Sequence, residues 1–186
     1  MVSLGALWLP VLVSAGLVFV ASSIIHMVLG YHQADYQPVP GEDDVQAALR
    51  RFTLTPGDYM LPCPGGPKDA ASQAFLDKMR KGPVVMMTVL ENRPTPLGTN
   101  LTLWFVYTLV MGAVVAYVAG LALPHGAPYR QVFRLVSTVA FTGYALALWQ
   151  MSIWYRRAWG STLRSTLDGL IYALVTAGAF GWLWPR

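Results

Sequence analysis

Four long apolar blocks constrain this chain more than any other feature of its sequence. The first, residues 4–29, and the second, residues 101–123, contain no Asp, Glu, Lys or Arg. The third, residues 132–155, has one charged residue, and the fourth, residues 162–184, has two, both near its start. A helix needs about 20 apolar residues to cross the hydrocarbon core of a bilayer. The sequence therefore predicts an all-α integral membrane protein with four transmembrane helices.

Composition agrees with this class. Hydrophobic residues make up 55% of the chain and charged residues 12%, which is about half the charged share of a soluble domain. The first block is expected to be a retained helix, because no Lys or Arg precedes it and because it is longer than the core of a signal peptide. The predicted organisation is one transmembrane helix, a long insertion and three further transmembrane helices, at residues 1–30, 31–100, 101–123, 131–157 and 161–185 respectively.

The distribution of basic residues predicts the orientation. Seven Lys and Arg lie in the insertion between helices one and two, and Arg156 and Arg157 lie between helices three and four. The other side has only Arg130, Arg134 and Arg186. Because cytoplasmic segments of membrane proteins are enriched in Lys and Arg, the insertion is predicted to be cytoplasmic and both termini outside, in a bacterial inner membrane.

The insertion is the one segment with soluble character. Two short amphipathic helices are predicted, the first opening at the acidic residues 42–44 and the second at residues 69–81. An apolar strand or extended segment is predicted to follow at residues 84–90. The single Cys63 cannot form an internal disulfide and is expected to stay reduced in the cytoplasm. A segment this small is expected to pack its apolar faces against the membrane helices or the headgroup surface.

Small residues recur every four positions on two of the predicted helices, as a ridge on each. Lipid tails are as apolar as Leu, so membrane helices associate by close packing, which small residues allow. The ridges predict helix docking, within the monomer or between subunits. The packing residues are Gly112, Ala116 and Gly120 on helix two and Gly169, Ala173, Ala177 and Gly181 on helix four.

Ionisable residues inside membrane helices are the first places to look for function. Asp168 stands one turn from Arg164, so the two can pair on one face of helix four. Asp168 is interpreted either as a proton or cation site or as an acid near the start of the helix that pairs with Arg164 or with Arg156 and Arg157. His26 lies near the inner end of helix one, where it is expected either to be buried, neutral and bonded to a Ser or a carbonyl, or to contact a metal, haem or quinone.

The sequence predicts no metal site, cofactor or catalytic residue. His26, His32 and His125 are dispersed, and the spacing of His26 and His32 does not place both imidazoles on one helical face. Cys63 and the Met residues of the insertion would suit a soft metal, but their spacing matches no known motif. Phosphate-loop and nucleophile motifs are missing, and no basic, aromatic-interleaved surface suggests nucleic acid. Lipid is the bound molecule that we expect.

Three functional hypotheses follow. The leading one is a non-enzymatic accessory or assembly subunit of a larger membrane complex, which docks on other membrane proteins or on itself through the small-residue ridges. The alternative is an oligomeric transporter or channel with Asp168 and His26 near the conduction path. It predicts that Asp168 faces a water-filled cavity rather than Arg164. The third is a membrane-interface enzyme or a metal or cofactor binder.

Overall fold

The computed structural model describes residues 1–94 and 96–186, and it is mostly helical (68%). Three helices are long and apolar enough to cross a membrane: Leu4–Met27, Leu97–Ala122 and Tyr129–Ile153. This confirms the prediction of a helical protein suited to a membrane. The chain divides into two compact units, a helical unit of Met1–Gln37 with Pro96–Arg186 and a smaller unit of Pro38–Thr95.

The elements are numbered in chain order. Short 3-10 helices lie at Leu4–Leu7, Tyr31–Asp35 and Leu146–Leu148. The strands are β1 (Gly57–Leu61) and β2 (Val85–Val89). The α-helices are α1 (Trp8–Met27), α2 (Glu42–Arg50), α3 (Pro67–Ala70), α4 (Gln73–Lys81), α5 (Leu97–Ala122), α6 (Tyr129–Tyr144), α7 (Trp149–Ile153) and α8 (Trp159–Trp182).

Helix α8 corresponds to the fourth apolar block. It has 24 residues, like the long helices that precede it. Its first half contains Arg164, Asp168 and several hydroxyl side chains, and this makes it less apolar than the three helices named above. Its second half is apolar and buries Ala173, Ala177 and Phe180.

The third predicted helix is interrupted. The sequence predicts one continuous helix at residues 131–157, whereas the structure has α6, a 3-10 turn and α7. Ala145 leaves the helical conformation, with φ −123° and ψ −46°. The interruption coincides with a close approach to α8, where a Cβ on Gly169 would lie 2.8 Å from the Ala145 Cβ. No proline marks the position, so the residue pattern does not indicate the break.

The core of the helical unit lies where its long helices meet. Helix α8 packs against α6 and α1, and α5 packs against α1. Both small-residue ridges take part. A Cβ on Gly112 of α5 would lie 3.1 Å from Val11 of α1, and one on Gly181 of α8 would lie 2.6 Å from the ring of Tyr129. The ridges therefore let helices of the same chain approach closely.

The ends of the chain are tied to the helical unit. The Val2 N–H donates to the Gly120 carbonyl at 2.8 Å, and the Gly126 N–H donates to the Pro185 carbonyl at 2.8 Å. The indole N–H of Trp184 donates to the Pro124 carbonyl at 3.0 Å. These bonds hold both termini at the same end of the unit as the α5–α6 connection.

The smaller unit is built on a β-hairpin. Strands β1 and β2 pair antiparallel, with Tyr59 opposite Met87. The pattern of the sequence predicts β2, but not β1. It predicts one helix at residues 69–81, where the structure has α3 and α4. The break follows from Ser72, whose hydroxyl accepts a hydrogen bond from the Phe75 N–H at 3.2 Å and so caps α4. Phe75 is the one buried side chain among residues 38–94.

Candidate metal centre

The candidate site forms where the chain reverses after α1. Gly30 has φ +64°, a left-handed conformation that glycine adopts without steric cost. The 3-10 helix Tyr31–Asp35 that follows packs against α8 and α1. Three elements thereby bring ionisable side chains to one place: the end of α1, the returning 3-10 helix and the first half of α8.

Two imidazoles and a carboxylate converge there. His32 Nε2 lies 2.7 Å from Asp168 Oδ2. The rings of His26 and His32 stack with centroids 4.5 Å apart and planes within 4°. One ligand atom from each of His26, His32 and Asp168 lies within 4.8 Å of the others. Asp168 is only 4% exposed, so this carboxylate is held away from bulk water.

Asp168 has different partners from the one that helical spacing predicts. The Tyr31 hydroxyl donates to Asp168 Oδ1, and His32 occupies the other carboxylate oxygen. Arg164 turns to Asp35 instead, and its Nε and Nη2 donate to Asp35 Oδ1 at 2.9 and 2.6 Å. The expected pair of Asp168 with Arg164 is therefore replaced by two linked pairs, because the segment after Gly30 brings a second carboxylate to α8.

Asp35 is the carboxylate that holds His32. His32 Nδ1 lies 2.8 Å from Asp35 Oδ2, and the Asp35 side chain is 7% exposed. Burial alone would raise the pKa of Asp35. The hydrogen bonds from His32, Arg164 and Ser161 and the charge of Arg164 outweigh burial and lower this pKa to about 2. Asp35 is thus ionised at any ordinary pH and acts as an acceptor, so His32 Nδ1 keeps its proton and donates.

Tyr31 is fixed as a donor for a related reason. Burial raises the pKa of its hydroxyl, and the hydrogen bond to Asp168 and the negative charge of that residue raise it further. The phenol therefore stays protonated. Its hydrogen bond orients the Asp168 carboxylate, because it fixes Oδ1 and leaves Oδ2 directed at His32.

His26 is oriented from its own helix. Its Nδ1 lies 3.0 Å from the Ser22 carbonyl oxygen, and since a carbonyl can only accept, Nδ1 carries the proton. Ser22 is held in turn, because its hydroxyl accepts from the Trp104 indole N–H at 2.8 Å and donates to the Phe19 carbonyl at 2.8 Å. In a neutral imidazole this leaves the lone pair on Nε2, the ring nitrogen available to a ligand.

His32 Nε2 and Asp168 Oδ2 can lie this close only if a proton or a cation is placed between them. A neutral His32 that donates through Nδ1 presents a lone pair at Nε2, and the Asp168 oxygen presents another. Two lone pairs 2.7 Å apart repel unless a proton or a cation lies between them. The separation is that of a hydrogen bond, and a metal ion could take the place of the proton only if the two atoms moved apart.

The other residues singled out in the sequence lie elsewhere. Ala116, Gly120, Ala173 and Ala177 are buried in the helix contacts of the same chain. His125 is exposed in the connection between α5 and α6, at the end of the unit where the termini lie. Cys63 is exposed in the smaller unit.

Sequence reasoning missed the part of the site that depends on the turn. It placed residues 31–100 in one insertion, although Tyr31, His32 and Asp35 belong to the helical unit. The available signal was Gly30 at the end of the first apolar block, followed by a His and an Asp three residues apart. A comparison of the chain with protein-family models, curated proteins and solved structures gave no match.

Proposed function

We propose that this chain is a membrane protein that binds a divalent transition-metal ion through His26, His32 and Asp168. One observation carries the proposal: ligand atoms from these three residues, on three separate elements, lie within 4.8 Å of one another. Imidazole nitrogen with carboxylate oxygen is a donor set suited to zinc and to other first-row metals such as iron. The sequence alone predicts no metal, because it does not reveal the convergence.

The distances are compatible with closure on an ion. Ligands held tetrahedrally at about 2.1 Å from zinc lie about 3.4 Å apart. The widest of the three separations would have to shrink by up to about 1.4 Å, and the 2.7 Å between His32 Nε2 and Asp168 Oδ2 would have to widen by about 0.7 Å. The His26 side chain is exposed and has room to rotate. The His26 ring stacks parallel to that of His32, so it would have to rotate, because a metal ion lies in the plane of each imidazole that binds it.

The hydrogen bonds around the three residues favour a metal site over a chance cluster of ionisable side chains. In metal sites each ligating His donates its other ring N–H to a carboxylate or a carbonyl, which orients the ligand. Both imidazoles here meet that condition, His32 through Asp35 and His26 through the Ser22 carbonyl. The third ligand, Asp168, is oriented by Tyr31. Three protein ligands leave a coordination position open, as in catalytic sites rather than closed structural ones.

The proposal includes a four-span topology. Helix α8 has 24 residues, about 36 Å at the rise of an α-helix, which is enough to cross a bilayer. It packs along α1 and α6, and its ionisable residues turn toward the site instead of toward lipid. With the insertion in the cytoplasm and both termini outside, the site lies toward the cytoplasmic end of the helices.

The sole cysteine allows this orientation to be tested. Cys63 is exposed, so a membrane-impermeant maleimide should label it in inverted membrane vesicles and not in right-side-out vesicles or intact spheroplasts. A Cys63→Ser variant provides the background. Labelling from the outer face of sealed membranes would contradict a cytoplasmic insertion.

The other two hypotheses have weaker support. The accessory-subunit hypothesis depends on the small-residue ridges, and both ridges face helices of the same chain. The transporter hypothesis expects Asp168 in a water-filled cavity, whereas Asp168 is buried against His32 and Tyr31. Native mass spectrometry remains the direct test of an accessory role, since it would show a heteromeric mass.

Metal content tests the proposal. The full chain would be purified in mild detergent, its affinity tag removed, and any bound metal stripped with a chelator. The protein would then be reloaded with zinc, and the number of zinc ions per chain would be measured by elemental mass spectrometry. We expect close to one ion per chain for the wild type and little for His26→Gln, His32→Gln and Asp168→Asn. His125→Gln is the matched control, since it removes an imidazole at the other end of the helical unit. Equal zinc in all five proteins would contradict the proposal.

A further inference from the structure

Tyr172 of α8 has a feature that the metal ligands do not explain. Its side chain is buried, with 4% of the residue exposed. Its hydroxyl has no hydrogen-bond partner among the described residues. Buried tyrosine hydroxyls nearly always have a partner, because an unsatisfied polar group loses its hydrogen bonds to water and gains nothing. The hydroxyl of Tyr172 is therefore a buried donor that the described residues leave unpaired.

The position of Tyr172 relates this hydroxyl to the candidate centre. Tyr172 follows Asp168 by one turn on the same face of α8. Side chains on a helix lean toward its N-terminus, and for Tyr172 that is the direction of Asp168. The ring also packs against Trp104, with centroids 5.8 Å apart, and Trp104 bonds Ser22, the residue that orients His26. Tyr172 is thus one turn from the ligand Asp168 and packs against Trp104, which holds the residue that orients His26.

The aromatic neighbours leave Tyr172 little freedom. Its ring packs edge-on against Tyr144, with centroids 5.6 Å apart. Tyr144 contacts Tyr107 at 5.9 Å, and Tyr107 stacks on Trp104 at 5.3 Å. The four rings form a closed cluster in the helical unit, so the Tyr172 hydroxyl is held in place rather than free to turn to water.

We propose that the Tyr172 hydroxyl donates a hydrogen bond to an exogenous oxygen or small anionic ligand at the open coordination position of the metal. The inference rests on the proposed function, since it needs the ion at His26, His32 and Asp168. One carboxylate among the three ligands leaves a divalent ion with net positive charge, which favours water, hydroxide or a small anion as the fourth ligand. A neutral phenol donor beside that position stabilises such a ligand and selects against apolar ones.

Cobalt and azide provide a direct test. The stripped protein would be loaded with Co²⁺, whose visible absorption reports its ligands, and titrated with azide as the anionic probe. We expect azide to change the cobalt spectrum of the wild type. In Tyr172→Phe, cobalt affinity should be unchanged and azide affinity should fall about tenfold, as for loss of a hydrogen bond to a charged group.

The matched control is Tyr107→Phe. It removes a hydroxyl from the same aromatic cluster, but one that already donates to the Gly143 carbonyl at 3.3 Å, so azide affinity should not change. A cobalt spectrum that azide leaves unaltered, or equal azide affinity in Tyr172→Phe and the wild type, would overturn the inference and leave metal binding intact. Failure of cobalt to bind at all would overturn the proposed function and this inference with it.

Discussion

The two halves of helix α8 are held to their neighbours by different kinds of contact. The first half uses charges and hydrogen bonds besides the close approach of Gly169 to Ala145: Arg164 bonds Asp35, and Asp168 bonds His32 and Tyr31. The second half uses close packing of small and aromatic side chains, with Ala173, Ala177 and Phe180 fully buried. One helix thus contains both a polar contact and a close-packed one.

The difference separates function from stability. Close packing by small residues promotes the association of membrane helices, and a buried ion pair is weak evidence for stability because removing charges from water is costly. A helix that needed only to be anchored could have used small residues along its whole length. Under the proposed function the polar half is a binding site, and variants of α8 and its neighbours test this division from the largest expected effect to the smallest.

The largest effect is expected from Asp168→Asn. It removes the buried anionic ligand but keeps the shape of the side chain, so zinc affinity should fall by more than about 100-fold, beyond the 10- to 100-fold typical of changes to residues that only orient a ligand. Isothermal titration calorimetry of the metal-free protein with zinc measures this affinity. A loss below tenfold would remove Asp168 from the ligand set.

Asp35→Asn should have the next largest effect. The amide accepts a hydrogen bond less strongly than the carboxylate, so His32 is oriented less firmly and zinc affinity should fall about 10- to 100-fold. The same titration applies, with Asp77→Asn in the smaller unit as the control, since Asp77 bonds the exposed side chains of Gln73 and Arg80. An unchanged affinity in Asp35→Asn would show that Asp35 has no part in binding.

Ala177→Leu tests the close-packed second half of helix α8. Ala177 is fully buried, and a larger side chain there should destabilise the protein by about 1–3 kcal/mol through overpacking. Zinc affinity of the folded fraction should stay the same, because the site is more than two turns away. Thermal unfolding in detergent, followed by zinc titration below the transition, measures both. A large loss of affinity would mean that the two halves are coupled.

The smallest effect is expected from Gly178→Ala. A Cβ at this position meets no atom within 4 Å, and alanine is the better helix former by about 0.8–1 kcal/mol. The unfolding temperature should be unchanged or slightly higher. A clear decrease would show that this face of α8 is covered, which would favour a partner subunit there.

The long helices could be predicted from the sequence because helices of soluble proteins rarely sustain apolar runs of membrane length. His26, Arg164 and Asp168 could also be identified, since charged and polar residues stand out in such runs. Their partners could not, because these come from a segment that Gly30 turns back onto α8. Helical spacing describes contacts within one helix, and the contact between His32 and Asp168 crosses 136 positions. Strand β1 was missed because it is a short segment of mixed character between two prolines.

The most direct test of the metal centre is X-ray absorption spectroscopy of the zinc-loaded full chain. We predict that zinc is bound by two imidazole nitrogens at about 2.0–2.1 Å, with one carboxylate oxygen and one further oxygen at about 2.0–2.2 Å. A sulfur atom at about 2.3 Å would place the metal on Cys63 instead, and coordination by oxygen alone would show that the imidazoles do not bind it. Either result would contradict a metal centre at His26, His32 and Asp168.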